Sequence, residues 1–354
     1  MRIVALCVAV AVLSVPSVRA ACPVVFPLPS DDRWQYPFNF QPGTRASASC
    51  FGSTADPDFD TFNDRDGIFL IAWRTDAEIE TGLPLDAYEV LAVRVTLTAA
   101  AGPGGVGRLP PADWFVDLTV DPWFNMDYPL SDADNGSPLE LFGVGFGPFF
   151  TASTWNETGF YVGGDDQSYE ARDPFPFVYS GVGMVHVEDS VKDQFTPQPW
   201  AIGVPIGYNR PSATPFPVHF DVDLSLSNEN VLRHFQEQVR VGKVFVAVTS
   251  LYSTVKQAPS GFPSFFTKES PDAGAVAPIL VVTLASTGDA NHDGRVGRTD
   301  HANLAECLGG PGSALGLHDV PGADECLCAF DFDDDADVDL WDVAVFQERF
   351  DGGL

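Results

Sequence analysis

Basic residues are scarce in this chain of 354 residues: 19 Lys and Arg stand against 49 Asp and Glu, a formal net charge of −30. A surface of that sign repels nucleic acid and anionic membranes, so neither is an expected partner, and cations are the natural ones. Beyond the first twenty residues no apolar run is long enough to cross a bilayer, because Asp, Glu, Gly and Pro interrupt each one, and no membrane span is expected there. Long helical patterns are rare. There is no Gly-x-Ser-x-Gly elbow, no His-Glu-x-x-His helix and no phosphate loop, which removes the best-marked hydrolase and nucleotide-binding classes.

What remains is rich in turns and rings, with 32 Gly, 29 Pro and 12% aromatic residues, a composition that favours an all-β body with many loops. Residues 88–100, carrying Val90, Val93, Val95 and Leu97, have the β-branched density of a buried strand. Residues 114–120 follow a Gly-rich turn as a further strand. In residues 218–226, Val218, Phe220, Val222, Leu224 and Leu226 alternate with polar residues, the clearest period of two in the chain. Residues 228–241 suit one helix, capped by Asn228 or Asn230, with Val231, Leu232, Phe235 and Val239 inward. Residues 243–252 and 277–285 return to strand. The stretch 125–198 is so loaded with Gly, Pro, Asp and Phe that no strand can be drawn in it. The expected fold is mainly β: a jelly-roll-like β-sandwich over 21–286, with a small helical domain over 287–354.

The first twenty residues pair Arg2 with an apolar run over 3–15 and small residues Val18 and Ala20, the pattern of a secretory signal peptide. A secreted or cell-surface location is therefore expected, and with it an oxidising compartment. The cysteines after the leader fall in two groups, which suggests a Cys22–Cys50 bridge and a second from Cys307 to Cys326 or Cys328. Zinc is the alternative use, although the spacing lacks a second Cys or His pair.

From Asp289 onward there are sixteen Asp or Glu and only Arg295, Arg298 and Arg349 as opposing charges. The acids are ordered. A twelve-residue calcium loop takes oxygens from positions one, three, five, seven, nine and twelve, with a sharp turn at six. Asp289, Asn291, Asp293, Arg295 (through its carbonyl) and Asp300 fill those places in one loop, with Gly297 at nine; Asp331, Asp333, Asp335, Asp337, Asp339 and Asp342 fill them in a second. Ala336 stands at position six of the second loop, where a positive φ is often required. Val296 and Val338 both occupy position eight, suited to pairing and burial. Ala302, Leu304, Ala305 and Leu308 follow the first loop, and Val343, Phe346 and Phe350 the second, at helical spacing. Without metal, crowded carboxylates in the second loop would keep the segment partly unfolded, so calcium binding would supply folding free energy.

Two loop–helix repeats with Asp at position twelve, together with Cys307, the Gly309–Gly312 run, Cys326 and Cys328, resemble the cysteine-containing dockerin domains of exported bacterial proteins. The resemblance covers about a fifth of the chain. It implies calcium-dependent folding and docking to a cohesin-like or other surface partner. In that family positions ten and eleven help choose the partner; here they are Arg298 and Thr299, then Leu340 and Trp341. The two pairs differ, so two-fold equivalent docking is not implied. Trp341 suits an interface or a core equally well.

The large domain is similar to secreted carbohydrate-binding β-sandwich modules of the DNRLRE-like kind, through Phe69-Leu70-Ile71-Ala72-Trp73, the strand over 90–97, Phe265-Phe266-Thr267-Lys268-Glu269-Ser270 and Ala277-Pro278-Ile279-Leu280-Val281-Val282. That resemblance implies a polysaccharide ligand stacked on aromatics, for which Trp123, Trp155, Trp200 and Tyr161 are available. Catalysis by paired carboxylates, drawn from Glu157, Asp165, Asp166, Glu188 and Asp189, is the alternative, and a structural surface protein the third reading; no spacing selects a pair. His186 and His219 lie in strand-like segments without a catalytic motif.

Overall fold

The structure is a computed structural model. It describes residues 21–36, 39, 43–52, 65–100, 117–123, 137–158, 173–180, 183–207, 215–226, 230–252, 263–271, 277–285, 288–290, 295–308, 323–333 and 335–350. The expected leader, the Gly309–Gly312 run, and Tyr161, Asp165, Asp166, Asn291 and Asp293 lie outside the described residues. By its internal contacts the chain forms two compact units, one of residues 23–284 and one of 285–354 with the chain up to Cys22.

The larger unit is mainly β. In chain order its strands are β1 (Ala21–Phe26), β2 (Asp31–Gln35), β3 (Ser47–Ser49), β4 (Ile68–Arg74), β5 (Val90–Ala99), β6 (Glu140–Gly145) and β7 (Phe175–Ser180). There follow β8 (Gly183–His186), β9 (Ala201–Ile202), β10 (Val204–Pro205), β11 (Phe216–Asp221), β12 (Lys243–Thr249), β13 (Ser264–Phe266) and β14 (Ile279–Ala285). They make two antiparallel sheets, one ordered β1-β14-β5-β11-β10 with β13 and β3 attached, the other β2-β4-β12-β6-β7-β8 with β9 beside β6.

One core takes side chains from both sheets. Val93, Val95 and Leu97 of β5, Val218 and Phe220 of β11, and Leu280 and Val282 of β14 meet Phe69, Ile71 and Trp73 of β4 and Val244, Val246 and Val248 of β12. Alternation accounts for β11, where every second residue is buried. In β4 six consecutive residues are buried, because its other face is covered too: Ile68, Leu70 and Ala72 pack with Phe245, Val144 and Trp155. A run without alternation is what burial on both faces produces.

Several expectations need correction. Residues 222–226 are not strand; β11 begins at Phe216 and ends at Asp221. Residues 117–120 are not strand either. The stretch left without strands supplies β6, β7 and β8. Gly143 of β6 has a steric task there: a Cβ at that position would stand 2.1 Å from the Trp200 ring. The helix, α1 (Val231–Val241), starts after Asn230, whose φ is 48° and whose side chain makes no capping bond. Val231, Phe235 and Val239 are buried as expected, but Leu232 is exposed, and His234 and Gln238 are buried instead.

The smaller unit holds α2 (Arg298–Cys307), α3 (Ala323–Phe330) and α4 (Leu340–Arg349). Its core is Leu304, Cys307, Phe330, Phe332, Val338 and Phe346, with Val296, Val343 and Phe350 packed on it; Ala302, Ala305 and Leu308 are exposed. Gly288 belongs to this packing, with φ of 81° and a Cβ that would come within 3.1 Å of the Phe332 ring and 3.2 Å of Phe346.

The expected Cys22–Cys50 bridge does not form. Cys22 is bonded to Cys328, and Cys307 to Cys326. Cys50 is a free thiol, fully buried in the sandwich core, where loss of solvation pushes its pKa up and makes it unreactive.

Candidate metal centres

In the smaller unit the chain before α4 winds around its own carboxylates. Asp331 Oδ1 accepts the Asp335 N–H at 3.2 Å and Oδ2 the Ala336 N–H at 3.0 Å, while Asp335 Oδ1 accepts the Asp337 N–H at 3.1 Å. The tight turn sets Ala336 at a φ of 67°, the left-handed conformation expected of position six, where a side chain carries strain. Asp339 caps α4 through the Trp341 N–H at 2.6 Å, and Asp342 answers by accepting the Asp339 N–H at 2.8 Å, a reciprocal capping box.

The result is a dense group of oxygens. Donor atoms of Asp331, Asp333 and Asp335 lie within 4.8 Å of one another, and so do those of Asp337, Asp339 and Asp342. Asp333 Oδ1 is buried without a hydrogen-bond partner. Burial, joined by the charges of Asp335, Asp342, Asp331 and Asp339, pushes the Asp333 carboxyl up to about 6. Burial also raises Asp342, against the opposing N–H groups of Asp339 and Phe332. An all-oxygen, carboxylate-rich set around one tight loop suits a hard cation such as calcium.

The first loop shares the frame. Asp300 Oδ1 accepts the Ala290 N–H at 2.9 Å and Oδ2 the Gly297 N–H at 2.8 Å. In the second loop Asp342 takes the same two places, from Phe332 at 2.7 Å and Asp339 at 2.8 Å. Asp289 and Arg295 are described, and Asn291 and Asp293 fall outside the described residues. Val338 is fully buried and Val296 half-buried, and neither is in a strand pairing. Of the residues expected at a docking face, Arg298 and Thr299 are exposed, Leu340 is 73% exposed and Trp341 51%.

The sandwich carries a second acidic cluster that motif reading missed. Asp32 of β2, Glu157 and Glu269 bring donor oxygens within 4.8 Å of one another. The Lys268 ammonium bonds Glu157 Oε1 at 2.6 Å and Glu269 Oε1 at 2.7 Å, and the Lys268 N–H donates to Asp32 Oδ2 at 2.8 Å. Burial opposes the ammonium charge, but these bonds outweigh it and raise its pKa. Burial pushes the Asp32 carboxyl up to about 8, with the Lys268 N–H opposing and Glu269 adding to the rise.

The aromatics expected to meet sugar are placed differently. Trp155 and Trp200 are buried in the sandwich, against Phe245 and Phe177 respectively, and Trp123 is half-buried. Glu188 and Asp189 are buried, and His186 stacks on Phe175 with ring centroids 3.5 Å apart. His219 sits half-buried in β11.

The fold and its acidic clusters define the class to which the chain can be assigned: a mainly β protein of two antiparallel sheets with a small, acid-rich helical unit. No protein-family model matches the chain, and no curated protein matches it either.

Proposed function

We propose that the protein is exported and that its tail is a dockerin-like module, folded by calcium, which docks the chain to a cohesin-like or other surface partner. The observation that carries this reading is the shared frame of the two loops, in which Asp300 and Asp342 each take the N–H groups at positions two and nine. A repeated frame around acids at ligand positions has a use in metal binding that a solvated acidic run lacks. The loop through Asp331, Asp333, Asp335, Asp337, Asp339 and Asp342 would hold one ion, and the loop through Asp289, Asn291, Asp293, the Arg295 carbonyl and Asp300 the other. Leu340, Trp341, Arg298 and Thr299 are all exposed, which suits a partner face.

The sandwich, read as jelly-roll-like, is the portion that the tail would anchor, and its ligand is a glycan or a surface protein. Burial of Trp155 and Trp200 removes two of the four aromatics offered for sugar stacking, so glycan contact falls to Trp123 and Tyr161. Among the described residues Glu188 and Asp189 are buried, which gives a hydrolase reading no accessible carboxylate pair there.

The test is calcium titration of the chelator-stripped full chain, followed by calorimetry and far-ultraviolet circular dichroism. Two ions lost in Asp289→Ala with Asp331→Ala, together with a calcium-dependent gain of helix in the wild type, are expected. Identical calcium heats in wild type and double variant would end the reading.

A further inference from the structure

Asp32 is fully buried at one edge of its sheet, in β2, with the Glu269 carboxyl beside its own, and its Oδ1 meets no N–H donor. Glu269 Oε2 is buried without a partner as well. Both belong to the cluster in which Lys268 already holds one oxygen each of Glu157 and Glu269. The remaining Glu157 oxygen, Oε2, accepts the Asp32 N–H at 2.9 Å. Three carboxyl groups face one ammonium, so even with Asp32 protonated one negative charge is in excess, and buried carboxylate oxygens without donors are destabilising unless something positive meets them.

We propose that Asp32, Glu157 and Glu269 form a binding site in the sandwich for a hard divalent cation of the calcium class. The donors are all oxygens, which suits calcium, magnesium or manganese and disfavours softer metals. Asp32 Oδ1 and Glu269 Oε2 supply the free ligand atoms, Glu157 completes the triad, and Lys268 keeps the carboxylates oriented. The ion would join β2, the segment containing Glu157 and the turn after β13, three parts of the chain more than a hundred residues apart in sequence. This site is independent of the tail loops and of any reading of them.

The experiment counts calcium bound to chelator-stripped full-length protein by equilibrium dialysis with elemental analysis, repeated with magnesium and manganese. Wild type, Glu269→Gln and the tail variant Asp289→Ala with Asp331→Ala are compared. Glu269→Gln is expected to lose one ion per chain and the tail variant to keep one. Glu269→Gln is chosen because it retains size and hydrogen bonding, whereas Asp32→Asn in a fully buried position risks the fold. Unchanged stoichiometry in Glu269→Gln with all three metals overturns the site; if that variant is also more stable, the two unpartnered oxygens share a proton rather than a metal. A wild type that binds a single ion, lost in Glu269→Gln, upholds this site while removing the calcium reading of the tail.

Discussion

Asp300 and Asp342 are structural equivalents: each carboxylate accepts one N–H from position two of its loop and one from the residue three before it, where the following helix begins. One side chain thus closes the loop and starts the helix. Asn at either place keeps the shape but loses the charge and exchanges one acceptor for a donor.

Asp342→Asn should therefore weaken calcium binding by at least about tenfold, since hydrogen bonds to charged groups contribute about 1.5–3 kcal/mol and each 1.4 kcal/mol is a factor of ten. Calorimetric titration of the full chain reads this directly. An affinity equal to wild type would remove Asp342 from the ligand set.

Ala336 has a φ of 67°, a conformation costing a non-glycine residue about 1–2 kcal/mol. Part of that is recovered by Gly only against its greater freedom when unfolded, so Ala336→Gly should stabilise the calcium-loaded tail by up to about 1 kcal/mol. Denaturant unfolding in saturating calcium is the measurement; a loss of stability would mean that the loop holds a different backbone in solution.

His234 is buried, and its Nε2 accepts the Gln238 side-chain N–H at 2.7 Å, while Gln238 Oε1 accepts the Phe245 N–H at 2.7 Å. Burial lowers its pKa to about 3. The unfolded histidine titrates near 6.5, so between those values the unfolded state holds the extra proton. Stability from this group is present above about pH 6.5 and falls as pH drops toward 3, by at most about 1.4 kcal/mol per pH unit. Urea unfolding from pH 7 to 5 should show a shallower acid loss in His234→Leu than in wild type, and parallel curves would refute the assignment.

Trypsin leaves Cys307, Cys326 and Cys328 together in one peptide, 299–349, because no Lys or Arg interrupts it before Arg349. Unreduced digests should show that peptide joined to the one carrying Cys22, with the Cys50 peptide alone. Cys50 should resist alkylation until the protein is denatured. A Cys22–Cys50 crosslink would contradict the structure.

Trp155→Ala and Trp200→Ala should each cost about 3–5 kcal/mol of stability, as large-to-small changes in a packed core do. If either left stability intact and abolished binding to a polysaccharide panel, the ring would be displayed rather than packed.

The parts legible in sequence were those set by neighbours along the chain. Alternation at Val218 and Phe220, β-branched density from Val90 to Ala99, and the two-residue step of the acids from Asp331 to Asp339 all express local geometry: the pleat of a strand and the winding of one short loop. Even the positive φ at Ala336 followed from its place in that loop.

Only the tertiary structure decided which distant groups meet. It set Cys22 against Cys328 rather than Cys50, buried Trp155 and Trp200, drew β6 to β8 out of a Gly- and Pro-rich stretch, and gathered Asp32, Glu157 and Glu269 around Lys268. None of these has a period or spacing to betray it, because each depends on strand order and on packing between segments far apart in the chain, which local pattern does not encode.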